Sequence, residues 1–182
     1  MSRIPIPSAE GAPQASRALL AEAARRLGGL PNFFRIVANS PSALEALVGF
    51  YGALEKGALD PLIRERIALA VAEVNGSDYC LSAQTYRVRE MHLLDDTEIT
   101  ANRNGASNDI RANAAVSFAA KLARGRGQVT DTDFAAVKDA GFSDAEIVEI
   151  VAHVALNIFA GTANIALQTD IDFPHIGARK AA

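Results

Sequence analysis

Helix punctuation is the feature that most limits what this chain can become. Capping residues and breakers recur along its 182 residues, and no strand-like alternation lies between them. Ser40-Pro41 and Asp60-Pro61 each join an N-cap to a first-turn proline, where the missing N–H is tolerated. Thr130 with Asp133, and Ser143 with Glu146, have the spacing of capping boxes. Gly28-Gly29, Asn75-Gly76, Gly105 and Gly141 stand where helices stop in a left-handed turn. Together these signals predict an all-α chain of about seven to nine helices.

The expected helices run from Pro13 to Leu27, from Asn32 to Ala38 with Pro31 as the first position, from Pro41 to about Lys56, and from Pro61 to Val74. Ser77 or Asp78 caps the next, which ends near Met91. Asp95 or Asp96 opens a short one, and Asn108 or Asp109 one that reaches Arg124. The last two start at Thr130 and Ser143. The helix from Ser143 is apolar on more than one face, which calls for burial by its own domain or by a subunit partner. Pro5 and Pro7 make residues 1–12 an extended arm, and residues 13–182 read as one helical domain.

A net charge of −3 lacks the basic face that nucleic-acid binding needs. One cysteine excludes an intrachain disulfide and a cysteine-based metal site. His92, His153 and His175 have no metal-ligand spacing, so neither a metal nor another cofactor is expected. His92 is expected to be solvated, and His153 to be a satisfied core or interface residue. The start of the chain lacks a signal-peptide apolar region, and no apolar run reaches the roughly 20 residues needed to cross a bilayer. A cytoplasmic protein without a membrane partner is the resulting expectation.

Cys80 is where chemistry is expected. It follows a tight turn and lies in the first turn of a helix, where a thiol can be activated. At about 1.5 Å per residue, Glu65 on the preceding helix and Gln84 on this one stand at similar heights in an antiparallel pair. Cys80 and Gln84 are i and i+4 on one helical face, so Glu65, Cys80 and Gln84 can line one crevice. Arg64, Arg66 and Arg87 are candidates to lower the thiol pKa. Plainer readings stand beside these: Cys80 as a small buried residue, Glu65 paired with a nearby arginine, Ser77 as an N-cap, and Gln84 hydrogen-bonded to Glu65 or the backbone.

The arrangement Glu65-x11-Ser77-x2-Cys80-x3-Gln84, with the frame Leu62 to Gly76 before it, resembles the alkylhydroperoxidase-D-like family, also called carboxymuconolactone decarboxylase-like. Leu30-Pro31-Asn32-Phe33-Phe34-Arg35, Ser40-Pro41, the segment Ala140 to Ile147 and the tail Asp172-Phe173-Pro174 extend the resemblance toward its peroxidase-related branch. It implies a single-domain helical bundle and a homo-oligomer, a trimer or hexamer. It also implies that Cys80 holds the peroxidatic place and Glu65 the proton-relay place, with Ser77 in place of the resolving cysteine and Gln84 in place of the histidine. Serine cannot form a disulfide, and glutamine cannot exchange a proton near neutral pH. The resulting expectation is a hydroperoxide reductase that works through Cys80 alone, with a small hydroperoxide as substrate and an external thiol as reductant. The alternatives are a non-catalytic oligomer that binds a small apolar ligand, and a lactone decarboxylase, which the absence of histidine at position 84 disfavours.

Overall fold

The computed structural model describes residues 1–179 and contains nine helices among them. They are α1 (Gln14–Leu27), α2 (Asn32–Val37), α3 (Pro41–Leu54), α4 (Pro61–Asn75), α5 (Asp78–Glu90), α6 (Asp96–Arg103), α7 (Ile110–Arg124), α8 (Asp131–Asp139) and α9 (Asp144–Leu167). The last residues of the expected 13–182 domain lie outside the described part.

Local hydrogen bonds set these ends. The Asp60 carboxylate accepts from the Leu62 and Ile63 amides at 2.8 and 3.2 Å, and Ser77, Asp95 and Asp109 cap α5, α6 and α7. Both capping boxes form as their spacing indicates, at Thr130/Asp133 and Ser143/Glu146. Pro31 is the cap of α2 and not its first helical residue, because its ψ of 147° is still extended. Gly76 closes α4 at φ +67°, a conformation costly for any residue with a Cβ.

α4 is the central helix. It packs on α5, α6, α7 and α9, and the whole run Ile67 to Ala72 is buried. Alternating Ala68, Ala70 and Ala72 let neighbours approach it from all sides. One apolar cluster gathers α1, α2, α3, the start of α5 and the end of α9; a second joins α4, α7, α8 and the start of α9. The N-terminal arm contains no helix, yet Ile6 and Ala12 pack on the first cluster.

α9 buries one side against α3, α4, α5 and α7 and leaves Val148, Val151, Phe159 and Ile165 exposed. Its own domain therefore supplies only part of the burial expected for it. It is also long and apolar enough to cross a bilayer, which amends the sequence reading, though 44% of its most apolar stretch is buried and its inner face holds His153, Asn157 and Asn164. Beyond it, residues 170–179 run back across α5. The Tyr79 hydroxyl donates to Asp172 Oδ1 (2.8 Å), the Ile176 amide to Ser82 Oγ (2.9 Å) and the Ala178 amide to Asp78 Oδ1 (2.8 Å). The Phe173 ring rests against Tyr79 and Tyr86. This strap takes up the face of α5 that carries Tyr79, Ser82 and Tyr86. The face with Cys80, Gln84 and Arg87 is left to meet the bundle.

Candidate functional site

Cys80 occupies the first turn of α5 and is 9% exposed. The Ser77 hydroxyl accepts the Cys80 backbone N–H at 3.3 Å, as an N-cap does, and its nearness favours the thiolate. Ser77 thus stands at the sulfur, where the sequence motif puts a resolving thiol.

The second group on the sulfur comes from far along the chain. Asn164 Nδ2 on α9 donates to Cys80 Sγ at 3.5 Å. Gly161 makes this approach possible, since a Cβ there would stand 2.5 Å from Asn75 Nδ2. Asn75 instead donates to the Asn157 carbonyl at 3.1 Å, binding the end of α4 to α9 about one turn before Gly161. Asn164 then faces the start of α5.

Burial pushes the Cys80 thiol above its ordinary range, and Ser77 and Asn164 oppose that shift without cancelling it. The expectation that arginines lower the thiol pKa is corrected by where they go. Arg64 donates to the carbonyls of Leu59, Glu55 and Gly57, Arg66 pairs with Glu98, and Arg87 pairs with Glu65.

Glu65 reaches this region from α4, and its carboxylate accepts from Arg87 Nε at 2.8 Å. This is the plainer of its two sequence readings. Gln84 departs from expectation: its Oε1 is buried with no hydrogen-bond partner, instead of bonding Glu65 or the backbone. Tyr51 of α3 stands among these groups. Burial raises its hydroxyl pKa, the charges of Cys80 and Glu65 add to the shift, and Arg87 opposes it. The structure therefore gathers Cys80, Ser77, Gln84 and Glu65 into one region and adds Asn164, Tyr51 and Arg87, while among the described residues no hydrogen bond links Glu65 to the sulfur.

Sequence reasoning missed Asn164 and Tyr51. A signal existed for the first: Asn157 and Asn164 are seven residues apart, two turns on one face of an otherwise apolar helix. A polar residue on a core face needs a partner. Tyr51 carried no such mark.

His153, on the same face of α9, is buried with Nε2 unpartnered, so of the two roles expected for it, satisfied core or interface residue, the bundle does not supply the first. Burial, with help from Arg64, lowers its pKa to about 4. Between that value and the ordinary 6.5 the unfolded chain binds a proton that the folded chain refuses, so stability falls as pH drops through this window. His153→Leu is expected to lose less on going from pH 7 to 4.5, the difference between the two proteins being on the order of 2 kcal/mol. Thermal unfolding of both across this range measures it; parallel curves would refute the assignment.

Among the described residues no cluster of histidine, cysteine and carboxylates has the makings of a metal site. Two surface cavities, one lined by Phe118, Lys121 and Asp133 and another by Arg89, His92 and Asp95, lie away from Cys80.

The model of the carboxymuconolactone decarboxylase family matches residues 41–121, the span from α3 through most of α7. No curated protein matches the chain. Among solved structures, a peroxidase-related protein from Ralstonia eutropha JMP134, described as an alkylhydroperoxidase AhpD core, is 26% identical with a TM-score of 0.81, over 94% of this chain and 92% of that one. A peroxidase-related protein from Silicibacter sp. TM1040 is 24% identical, with a TM-score of 0.79 over 93% and 91%. The debrominase Bmp8, in complex with 2,3,4-tribromopyrrole, shares the fold at 20% identity and a TM-score of 0.75, over 87% and 86%. With the all-helical architecture and the Glu65–Cys80 frame inside the matched span, the chain has the AhpD-like helical fold, and its residues 41–121 match the carboxymuconolactone decarboxylase family.

Proposed function

We propose that the protein is an alkylhydroperoxidase-like reductase that works through Cys80 alone and is recharged by an external thiol. The observation that carries this reading is the sulfur itself: it lies at the N-terminus of α5, beside the Ser77 cap, and accepts a hydrogen bond from Asn164. A helix N-terminus and a neutral donor favour a thiolate without a histidine, against the burial that raises the thiol pKa.

In the proposed step Cys80 first loses its proton. The thiolate attacks the terminal oxygen of ROOH, an S–O bond forms as O–O breaks, and the alkoxide takes up the proton to leave as ROH. The sulfur is oxidised to sulfenic acid and the peroxide is reduced. With serine at position 77, no second protein thiol can close a disulfide. One external thiol condenses with the sulfenic acid, releasing water, and a second displaces the mixed disulfide to regenerate Cys80.

Thiol-dependent consumption of hydroperoxide is expected for the wild type and is expected to be lost in Cys80→Ser, with a sulfenic-acid trap labelling only the wild type. The rate is expected to rise with pH through the alkaline range, because burial raises the thiol pKa. Equal rates in wild type and Cys80→Ser would remove the reading.

A second reading, a non-catalytic family member that binds a small ligand, draws on the same burial and upward shift. Very slow alkylation of Cys80 at neutral pH together with no hydroperoxide consumption would favour it.

For assembly we propose a homo-oligomer, a trimer or hexamer, held through the exposed stripe Val148, Val151, Phe159 and Ile165 of α9. Light scattering is expected to give a multiple of 19.2 kDa that falls in Phe159→Glu. A monomeric wild type would count against this. The expected partners are otherwise small molecules: a hydroperoxide and the reducing thiol.

A further inference from the structure

Two amide oxygens at the Cys80 site lack a hydrogen-bond donor. Asn164 is 3% exposed; its Nδ2 donates to Cys80 Sγ, while its Oδ1 is buried and unpaired. Gln84 Oε1 is also buried and unpaired, one turn beyond Cys80 on the same face of α5. An unpaired buried acceptor is destabilising, and a donor arriving from outside the chain can complete it.

We propose that Asn164 and Gln84 receive the O–H groups of the peroxide that Cys80 attacks, so that hydrogen peroxide, with two such donors, is preferred over organic hydroperoxides, with one. The inference rests on the hydroperoxide-reductase reading and narrows its substrate. Nδ2 and Oδ1 of Asn164 share one carbon, so an O–H held by Oδ1 lies beside the sulfur held by Nδ2. The oxygen that a thiolate attacks in a hydroperoxide is the one that carries the hydrogen. Arg87 is paired with Glu65, so among the described residues this guanidinium is not free to select an anionic ligand. A residue as buried as Cys80 also admits a small molecule more readily than one with a bulky organic group.

The step balances for hydrogen peroxide. The S–O bond forms as O–O breaks, and the hydrogen on the attacked oxygen stays as Cys80 sulfenic acid. The departing hydroxide recombines with the proton released by the thiol, giving water.

The test compares single-turnover oxidation of Cys80 by hydrogen peroxide and by cumene hydroperoxide with its alkylation by iodoacetamide, each across pH. Rates are expressed per thiolate, so a change in thiol pKa is separated from substrate binding. The wild-type constant for hydrogen peroxide is expected to exceed that for cumene hydroperoxide by about tenfold or more, the scale of a buried hydrogen bond made or lost. In Asn164→Ala the peroxide constant is expected to fall about tenfold, with alkylation per thiolate within about twofold. Gln84→Leu is expected to lose rate with hydrogen peroxide and not with cumene hydroperoxide. If the alanine protein does not fold, Asn164→Ser, whose hydroxyl is too short to reach the sulfur, serves the same purpose. Equal constants for the two peroxides, or an Asn164→Ala loss shared equally by iodoacetamide, would overturn the proposal while the reductase reading survives. A wild type that is alkylated yet inert to both peroxides would overturn the reductase reading as well.

Discussion

Ser77→Cys combined with Gln84→His is expected to raise hydroperoxide turnover by roughly 10²- to 10⁴-fold, the usual contribution of a positioned acid–base group together with a route to resolve the sulfenic acid. Ser77 Oγ already accepts the Cys80 backbone N–H at 3.3 Å, so a sulfur in its place stands beside Cys80 in the first turn of α5, where a disulfide can form. A histidine at position 84 projects from the Cys80 face of α5 and supplies the group that can take the thiol proton and return it to the alkoxide. Two local effects oppose the gain. Loss of the Ser77 cap costs α5 about 1 kcal/mol. Arg87 also competes with the new histidine for the Glu65 carboxylate. Hydroperoxide consumption with a dithiol reductant measures the outcome. In Ser77→Cys alone, one equivalent of peroxide is expected to close a 77–80 disulfide, visible as a loss of two hydrogens in the intact mass. A folded double variant with no gain would show that the crevice no longer supports the chemistry its frame suggests.

Glu98→Ala is expected to destabilise the fold by about 3–5 kcal/mol, the cost of stranding one partner of a buried ion pair. Glu98 and Arg66 meet with both side chains almost fully covered. Glu98 Oε1 also accepts from Ser107 Oγ (2.5 Å) and Asn102 Nδ2 (2.8 Å), and Oε2 accepts from the Asn108 amide (3.0 Å). One carboxylate therefore holds α6 and the loop before α7 against α4. Burial already lowers the Arg66 pKa, and without Glu98 that guanidinium keeps its charge with only the charges of Asp109 and Asp60, neither in an ion pair with it, to offset the burial. At about 2–4 °C per kcal/mol for a chain of this size, the melting temperature is expected to drop by roughly 6–20 °C. Glu98→Gln, which keeps the shape and loses the charge, is expected to fall less. A drop under about 3 °C for the alanine variant would contradict this account. Arg66 turns to Glu98 of α6, whereas Cys80 meets Asn164 of α9, so the alkylation rate of Cys80 at temperatures well below melting is expected to change little.

The helix ends were readable in the sequence because their causes are local. Asp60 bonds amides two and three residues on, Ser143 and Glu146 bond each other's backbone, and Gly76 turns the chain with its own φ. The placing of Cys80 and Gln84 on one face followed likewise from helical period, and the family frame from a run of adjacent residues. Partner choice was not readable. Glu65 could have met Gln84, Cys80 or an arginine, and it met Arg87 because α5, held by the tail on its outer face, brings that guanidinium to it. Asn164 reaches a sulfur 84 residues away because Gly161 lets α9 close on the end of α4. That same packing buries the thiol and raises its pKa, where a helix start alone would lower it. The sequence by itself determined the all-α architecture, the caps and the helix that carries Cys80, since each rests on hydrogen bonds within a turn. Only the tertiary structure decided what the sulfur, Glu65 and Gln84 face, because desolvation and ion pairing depend on which distant helices close around them.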